Sequence, residues 1–384
     1  MSGVLVQAGG RDWRLLAEPD PREADRFQAI LSVQLLDELT EAPPRVRVEV
    51  STETLGLFAT ATAGGRIGLV GRPTAAFLDP WPVPAPTVAI DAETSEHLPL
   101  SLTSELDPQP DMPELYALTT LLPTGLHRRP TTFSGRVVSR VTGPAVGAAL
   151  AVTRYWRTFD AIGGPGLVPD ALCLWSGLYR DRSTAATARR RNLTLQPDVK
   201  SLVVAAEAGA TELLVSDRQN LITGRPLAIE PGDPEREEYV GIAAIDTTWS
   251  VDQPALVTLD HPLRRGHRAG TLAQRTTFAG IAGPPNALER DGRIGDVSLY
   301  LAALGGLAPG NRIIEIEGGT TDPTVASEYH SFSFWRAVTA ADGHYRLPPI
   351  HRAAHVEIDG PGSIGPIRFS LNAPGDALAD IMFD

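Results

Sequence analysis

Asp342-Gly343 stands at the head of a segment in which apolar and polar residues alternate. Tyr345 and Leu347 follow it, then Pro348-Pro349. A second alternating run, Val356 and Ile358, stops at Gly360-Pro361. Asp-Gly beside alternating residues predicts a tight β-hairpin, because such a turn needs positive φ and glycine adopts it without steric cost. The same punctuation recurs along the whole chain. Its 36 glycines and 33 prolines mostly interrupt short apolar runs, the pattern of many strands meeting many turns. A β-sandwich construction follows, of a kind that holds or binds partners more often than it catalyses.

At 384 residues the chain has room for two to four domains. Its composition, 42% hydrophobic and 21% charged, is that of a globular protein. The net charge of −12 opposes general binding to nucleic acid and docking on anionic membranes. Lys200 is the sole lysine among 34 basic residues, which reads as the compositional bias of a GC-rich bacterial genome. Cys173 is the sole cysteine, so no intramolecular disulfide can form. Its apolar neighbours in Ala171–Trp175 predict a buried, inert thiol. The first residues carry neither the charged nor the long apolar region of a secretory signal. No apolar run reaches the roughly 18 residues that a membrane helix needs. Synthesis and folding in the cytoplasm are the expectation.

The pattern divides the chain into a short N-terminal arm (1–24), a first Ig-like sandwich (25–126), a discontinuous sandwich (127–199 plus 278–384) and an inserted small β domain (200–277). Arg45–Val50 alternates strictly and places Val46, Val48 and Val50 on one face. Phe27–Leu39 fits period two, though a helical reading is also open. Ser183–Arg191, rich in Ala, Thr and Arg, is compatible with a short helix. Between Leu202 and Ala273, apolar runs of four to six residues recur every 10 to 15 residues, the signature of a small barrel or sandwich. Val4–Gln7 of the arm is suited to adding a strand to another subunit.

Gly135-Arg-Val-Val138 and Gly143–Thr153 resemble the opening strands of carboxypeptidase regulatory-like, transthyretin-type domains. Ala341–Ile350, with Asp-Gly-x-Tyr-x-Leu-Pro, resembles the closing hairpin of the same family. This resemblance implies one sandwich split by a long insertion, which surface loops tolerate because closure entropy rises slowly with length. The insertion has its own likeness. Glu207–Val215, Gly224–Ile229, Glu237–Val240, Val257–Leu263 and His267–Gly270 are similar to small β modules of phage-tail and tail-like particle proteins.

The zinc carboxypeptidases that accompany such regulatory domains need His-x-x-Glu, and none of the eight histidines has Glu at that place. Gly-x-Ser-x-Gly and the phosphate-binding Gly-x-x-x-x-Gly-Lys are also missing from the sequence. His351 and His355, in an extended segment, would stand about 13 Å apart; they read as solvated strand histidines. His344 or Asp359 is the imaginable third ligand only if that segment were helical. Glu235, Glu237 and Glu238 follow Pro231–Pro234 and read as a charged surface turn. Arg180, Arg182, Arg189, Arg190 and Arg191 are the sole basic concentration. They form a candidate interaction patch, better suited to acidic neighbouring subunits than to nucleic acid. Trp156 and Trp335 are expected in the sandwich core.

These readings imply no cofactor, no metal and no catalytic group. The expected function is structural: a component of a phage-tail-like particle, such as a bacterial contractile injection system, at a baseplate, adaptor or sheath-associated position. Its partners would be other subunits of the assembly. The alternative is a carbohydrate- or ligand-binding module of the adhesin type.

Overall fold

The computed structural model describes residues 4–8, 11–15, 28–54, 57–71, 87–106, 118–174, 185–233, 236–278, 283–292, 295–307, 314–318, 328–360 and 366–383. Among them helix is confined to one 3-10 turn, Phe159–Gly163. The chain is an all-β, multi-domain protein. None of its helices among the described residues is long and apolar enough to cross a membrane.

Within the arm, Val4–Ala8 pairs antiparallel with Arg11–Leu15. In the first sandwich Gln28–Asp37 pairs with Arg66–Gly71, which in turn pairs with Leu57–Ala61. Glu49–Ser51, Thr87–Glu93 and Leu100–Glu105 form the opposing sheet. The period-two reading of Phe27–Leu39 therefore prevails over the helical one. A register shift between Ala29 and Leu31 lets the consecutive Ile30 and Leu31 both turn inward. After it, Val33 and Leu35 alternate into a core shared with Val48, Ile67, Leu69, Val88 and Ile90.

The next sandwich joins distant strands. Thr131–Ser139 pairs with His344–Arg346, and in parallel with Gly375–Leu378 and Ile381–Phe383. The facing sheet runs Arg336–Val338, Ala149–Trp156, His355–Asp359, Ile367–Ser370. The Asp342-Gly343 turn forms, but not as the hairpin the sequence predicts. The strand before it, Arg336–Val338, pairs with Ala149–Trp156. The strand after it, His344–Arg346, pairs with Thr131–Ser139 in the other sheet. The turn is an arch over the core. Gly343 is required there by its φ of 78°, and because a Cβ would sit 2.7 Å from the Val137 carbonyl.

The apolar residues of 127–199 and 278–384 are shared between two cores. Ala171–Leu174 and Ser298–Tyr300 pair antiparallel and are buried on both faces. Ala171, Cys173 and Tyr300 enter the core of Phe133, Val152, Tyr155 and Trp335. Leu172, Leu174, Leu299 and Leu301 enter a separate core with Ile316, Phe332 and Phe334. Burial on both faces explains why this strand reads as a continuous apolar run with no alternation.

Residues 193–278 form a six-stranded sheet in the order Leu193–Ser201, Leu272–Phe278, Pro226–Ile229, Glu238–Ile245, Ala255–Leu259, Glu212–Val215. A bridge between Leu202 and Val215 brings its two ends together, closing a small barrel around Leu213, Leu227, Ile229, Val240, Ile242 and Val257.

Within Ser183–Arg191 the described residues are not helical: Ala185–Arg190 is a strand, paired with Asn286–Gly292 and Ile314–Gly318. Helix propensity is a weak preference that pairing on both sides overrides.

Candidate functional site: a buried histidine and carboxylate junction

Glu38 follows the strand Gln28–Asp37, and its N–H donates to the Leu126 carbonyl at 3.2 Å. That bond continues the parallel pairing of Thr124–Leu126 with the same strand and brings His127 alongside Glu38. His351 and Arg352 arrive from the other sandwich. Reciprocal bonds between Ile350 and Thr131, 2.8 and 2.7 Å, fix the approach, and Arg352 turns through a φ of 59°. Asp296 precedes Ser298–Tyr300, whose Tyr300 hydroxyl donates to the His351 carbonyl. Four remote stretches of chain thus meet between the first and second cores.

His127 Nδ1 lies 2.8 Å from Asp296 Oδ1, and its Nε2 lies 3.6 Å from Glu38 Oε2. Arg352 Nε donates to Glu38 Oε2 at 3.0 Å, and its Nη1 is 3.7 Å from Asp296 Oδ2. The two imidazole rings meet edge-on, 5.8 Å between centroids. His351 is 1% exposed. Its ring faces Asp296 at 3.5 Å and the Arg128 main chain, yet neither ring nitrogen makes a hydrogen bond of good geometry. Burial pushes the His351 imidazole down to about 3, so it is neutral and keeps a lone pair at ordinary pH. Glu38 Oε1 is likewise buried without a hydrogen bond.

Beside this cluster Asp37 accepts from the Leu39 and Thr40 amides and from Arg128 Nε, and shares a 3.0 Å contact with His97 Nε2. Burial raises its pKa, but the contacts to His97, Arg128 and Leu39 outweigh burial and hold it well below the usual carboxylate range. An open cleft of about 620 Å³ borders the cluster, lined in part by Arg45, Arg128, Phe159 and Asn372. Arg128 lies over the Phe159 ring, 5.3 Å from its centroid.

A second buried network ties the barrel to its neighbour. His267 Nδ1 is 2.7 Å from Glu230 Oε2, and its Nε2 is 3.6 Å from Glu238 Oε2. Glu238 accepts from the Arg264 and Arg265 amides. Arg264 Nη2 then reaches Glu328 Oε2 at 3.0 Å and His330 Nε2 at 3.1 Å. Lys200, in the same barrel, is buried and paired with Asp217.

This network sets a pH window. Burial disfavours the charged His267 imidazole, but Glu238 and Glu230 outweigh burial and raise its pKa above 6.5. Arg264 stands beyond Glu238, and Arg236 pairs with Glu230. A group whose folded pKa is raised stabilises fully below its unfolded value, and that stabilisation is lost as pH rises through the folded value. Burial raises the Glu238 pKa, and His267 and Arg264 outweigh it, lowering the pKa from 4.5. That contribution is present above 4.5 and is lost on acidification. Neutral His351, whose pKa burial pushes down from 6.5, adds a loss of stability as pH falls below 6.5, so thermal melts should rise toward pH 6.5 and decline on its alkaline side. His267→Gln should abolish the decline between pH 6.5 and 9, below the range where buried Cys173 and Tyr300 add their own; an unchanged decline there in that variant would rule His267 out as its source.

Several sequence readings are corrected here. His351 and His355 are buried, not solvated. His355 bonds Ser370 Oγ and the Phe159 carbonyl, and neither His344 nor Asp359 joins His351. The group around His351 is instead Glu38 and His127, whose ligand atoms lie with its own within 4.8 Å of one another. Nothing local in the sequence marks them, because each comes from a different stretch of chain. Glu237 and Glu238 are fully buried rather than a surface turn; the Gly232 amide donates to Glu237. Glu235 lies outside the described residues, as do Arg180 and Arg182. Arg189 and Arg190 are consecutive strand residues and so point to opposite faces. Arg190 bonds Asn192, and Arg191 follows the strand. Cys173 is buried and burial pushes its thiol up, as expected for an inert residue. Trp156 and Trp335 are both buried.

No family model matches the chain, and no curated protein matches it. Among solved structures it is similar to BcpA, the major pilin subunit of Bacillus cereus, at 8% identity over 93% of this chain and 99% of that one, with a TM-score of 0.18. It is also similar to the Bacillus anthracis TIE protein, at 8% identity over 92% of this chain and 50% of that one, with a TM-score of 0.19. Superposition this loose carries no argument about a common fold or role.

Proposed function

We propose that this chain is a non-catalytic structural subunit, made and assembled in the cytoplasm, that works through protein–protein contacts in a phage-tail-like particle of the contractile injection type. One observation carries the reading: large apolar side chains stand in solvent at one end of the second sandwich. Val141, Val146, Val338 and Met382 are 66% exposed or more. Chain pairing gathers them at that end. Val138 pairs with Met382, Ala149 pairs with Val338, and the Gly147 amide bonds Thr339. Gathered exposed apolar residues mark surfaces that associate. Arg336–Val338 also ends its sheet, offering a free edge to a neighbour's strand.

The test is sedimentation of native lysate from the source cell. The wild-type chain should travel with large particles. The pair Val338→Asp and Met382→Asp should move it to the soluble fraction with its melting temperature unchanged. A wild-type chain found only as a soluble monomer would end the proposal. The cleft beside Phe159 and Arg128 favours one alternative, a ligand-binding module. Binding to a glycan panel that Phe159→Ala abolishes would select it.

A further inference from the structure

We propose that Glu38, His127 and His351 bind one divalent transition-metal ion of the zinc class, which pins the first sandwich to the second. Four observations converge on this site. The three ligand atoms already lie within 4.8 Å of one another. His127 and Glu38 are 3.6 Å apart, close to the spacing that bonds of about 2.0–2.2 Å impose on neighbouring ligands. His351 is fully enclosed, and neither of its ring nitrogens makes a hydrogen bond of good geometry; Glu38 Oε1 is in the same state. Buried polar atoms without partners are costly, and one ion would satisfy a ring nitrogen of His351 and a carboxylate oxygen of Glu38 at once. Finally, Asp296 on Nδ1 of His127 holds that ring so that Nε2 faces Glu38, the way carboxylates orient histidines that ligate metals.

The donor set chooses the ion. Two imidazoles and a carboxylate suit Zn²⁺ and its neighbours, whereas Ca²⁺ and Mg²⁺ need shells of oxygen. Charge agrees. Glu38 and Asp296 both face the Arg352 guanidinium, so these two carboxylates outweigh that cation and favour a dication beside them. Because the ligands come from separate cores, bound metal would stabilise the junction between them.

The experiment uses the full chain, stripped with a chelator and titrated with Zn²⁺ by calorimetry. Cobalt(II) absorption serves as a spectroscopic reporter. One ion per chain is expected, with visible cobalt bands and a higher melting temperature. His351→Ala and Glu38→Gln should each weaken binding at least about tenfold, and Asp296→Asn about 10–100-fold. His344→Ala, on an exposed strand residue, should leave affinity and stoichiometry unchanged. Absence of stoichiometric binding overturns the proposal. So does binding that His344→Ala removes while folded His351→Ala and Glu38→Gln retain it. If His351→Ala does not fold, the unaltered chain decides: no cobalt bands, no site.

Discussion

Arg264→Met is expected to destabilise the protein by about 3–5 kcal/mol, among the largest losses of any single substitution. Arg264 and Glu328 are 3% and 1% exposed at their side chains. The arginine follows Leu263 of the barrel core, and the glutamate lies on Glu328–His330, paired with Ile314–Gly318 of the adjoining unit. Their contact therefore spans two bodies. Removing the guanidinium takes the Arg264 charge from a buried carboxylate beside His330. Removing both charges, with Arg264→Met and Glu328→Gln together, should recover much of the loss, because a buried ion pair gains little once its desolvation is counted. Urea unfolding of the four chains of this double-mutant cycle measures it. A loss below about 1 kcal/mol for Arg264→Met would show that water reaches the site.

Trp335→Ala should cost about 3–5 kcal/mol for a different reason, the cavity it leaves. Trp335 packs edge-on against Tyr155 and Tyr300, with centroids 5.9 and 5.8 Å away. The two tyrosines are themselves 5.3 Å apart. Tyr300 belongs to the strand buried on both faces, so the hole opens against the layer that both adjoining cores share. Trp249→Ala is the control: Trp249 is 63% exposed, and its loss should stay within about 0.5 kcal/mol. Equal melting temperatures for the two variants would contradict the packing described here.

Individual strands were readable because burial on one face imposes period two. Val46, Val48 and Val50 alternate in Arg45–Val50, and Val48 is buried. The Asp342-Gly343 turn was readable too, since φ at Gly343 is a local demand. Its role as an arch was not, because the strands on either side take partners about 185 to 212 residues away in sequence. Local signals failed outright at Ala185–Arg190 and at Glu237-Glu238. In the first, two partners override propensity. In the second, charges that look solvent-directed are paid for by partners such as His267 and the Arg264 amide.

Taken alone, the order of residues determined that this chain is all β, where most of its turns fall, and that Cys173 is inert. Those properties depend on φ preferences and on which face of a strand is apolar, and both are written within a few neighbouring positions. Which strands pair, how the apolar run Ala171–Leu174 comes to serve two cores, and the meeting of Glu38, His127, Asp296 and His351 were decided only in three dimensions. Contacts between remote segments arise when several sheets bury their faces together, and no short stretch of sequence encodes them.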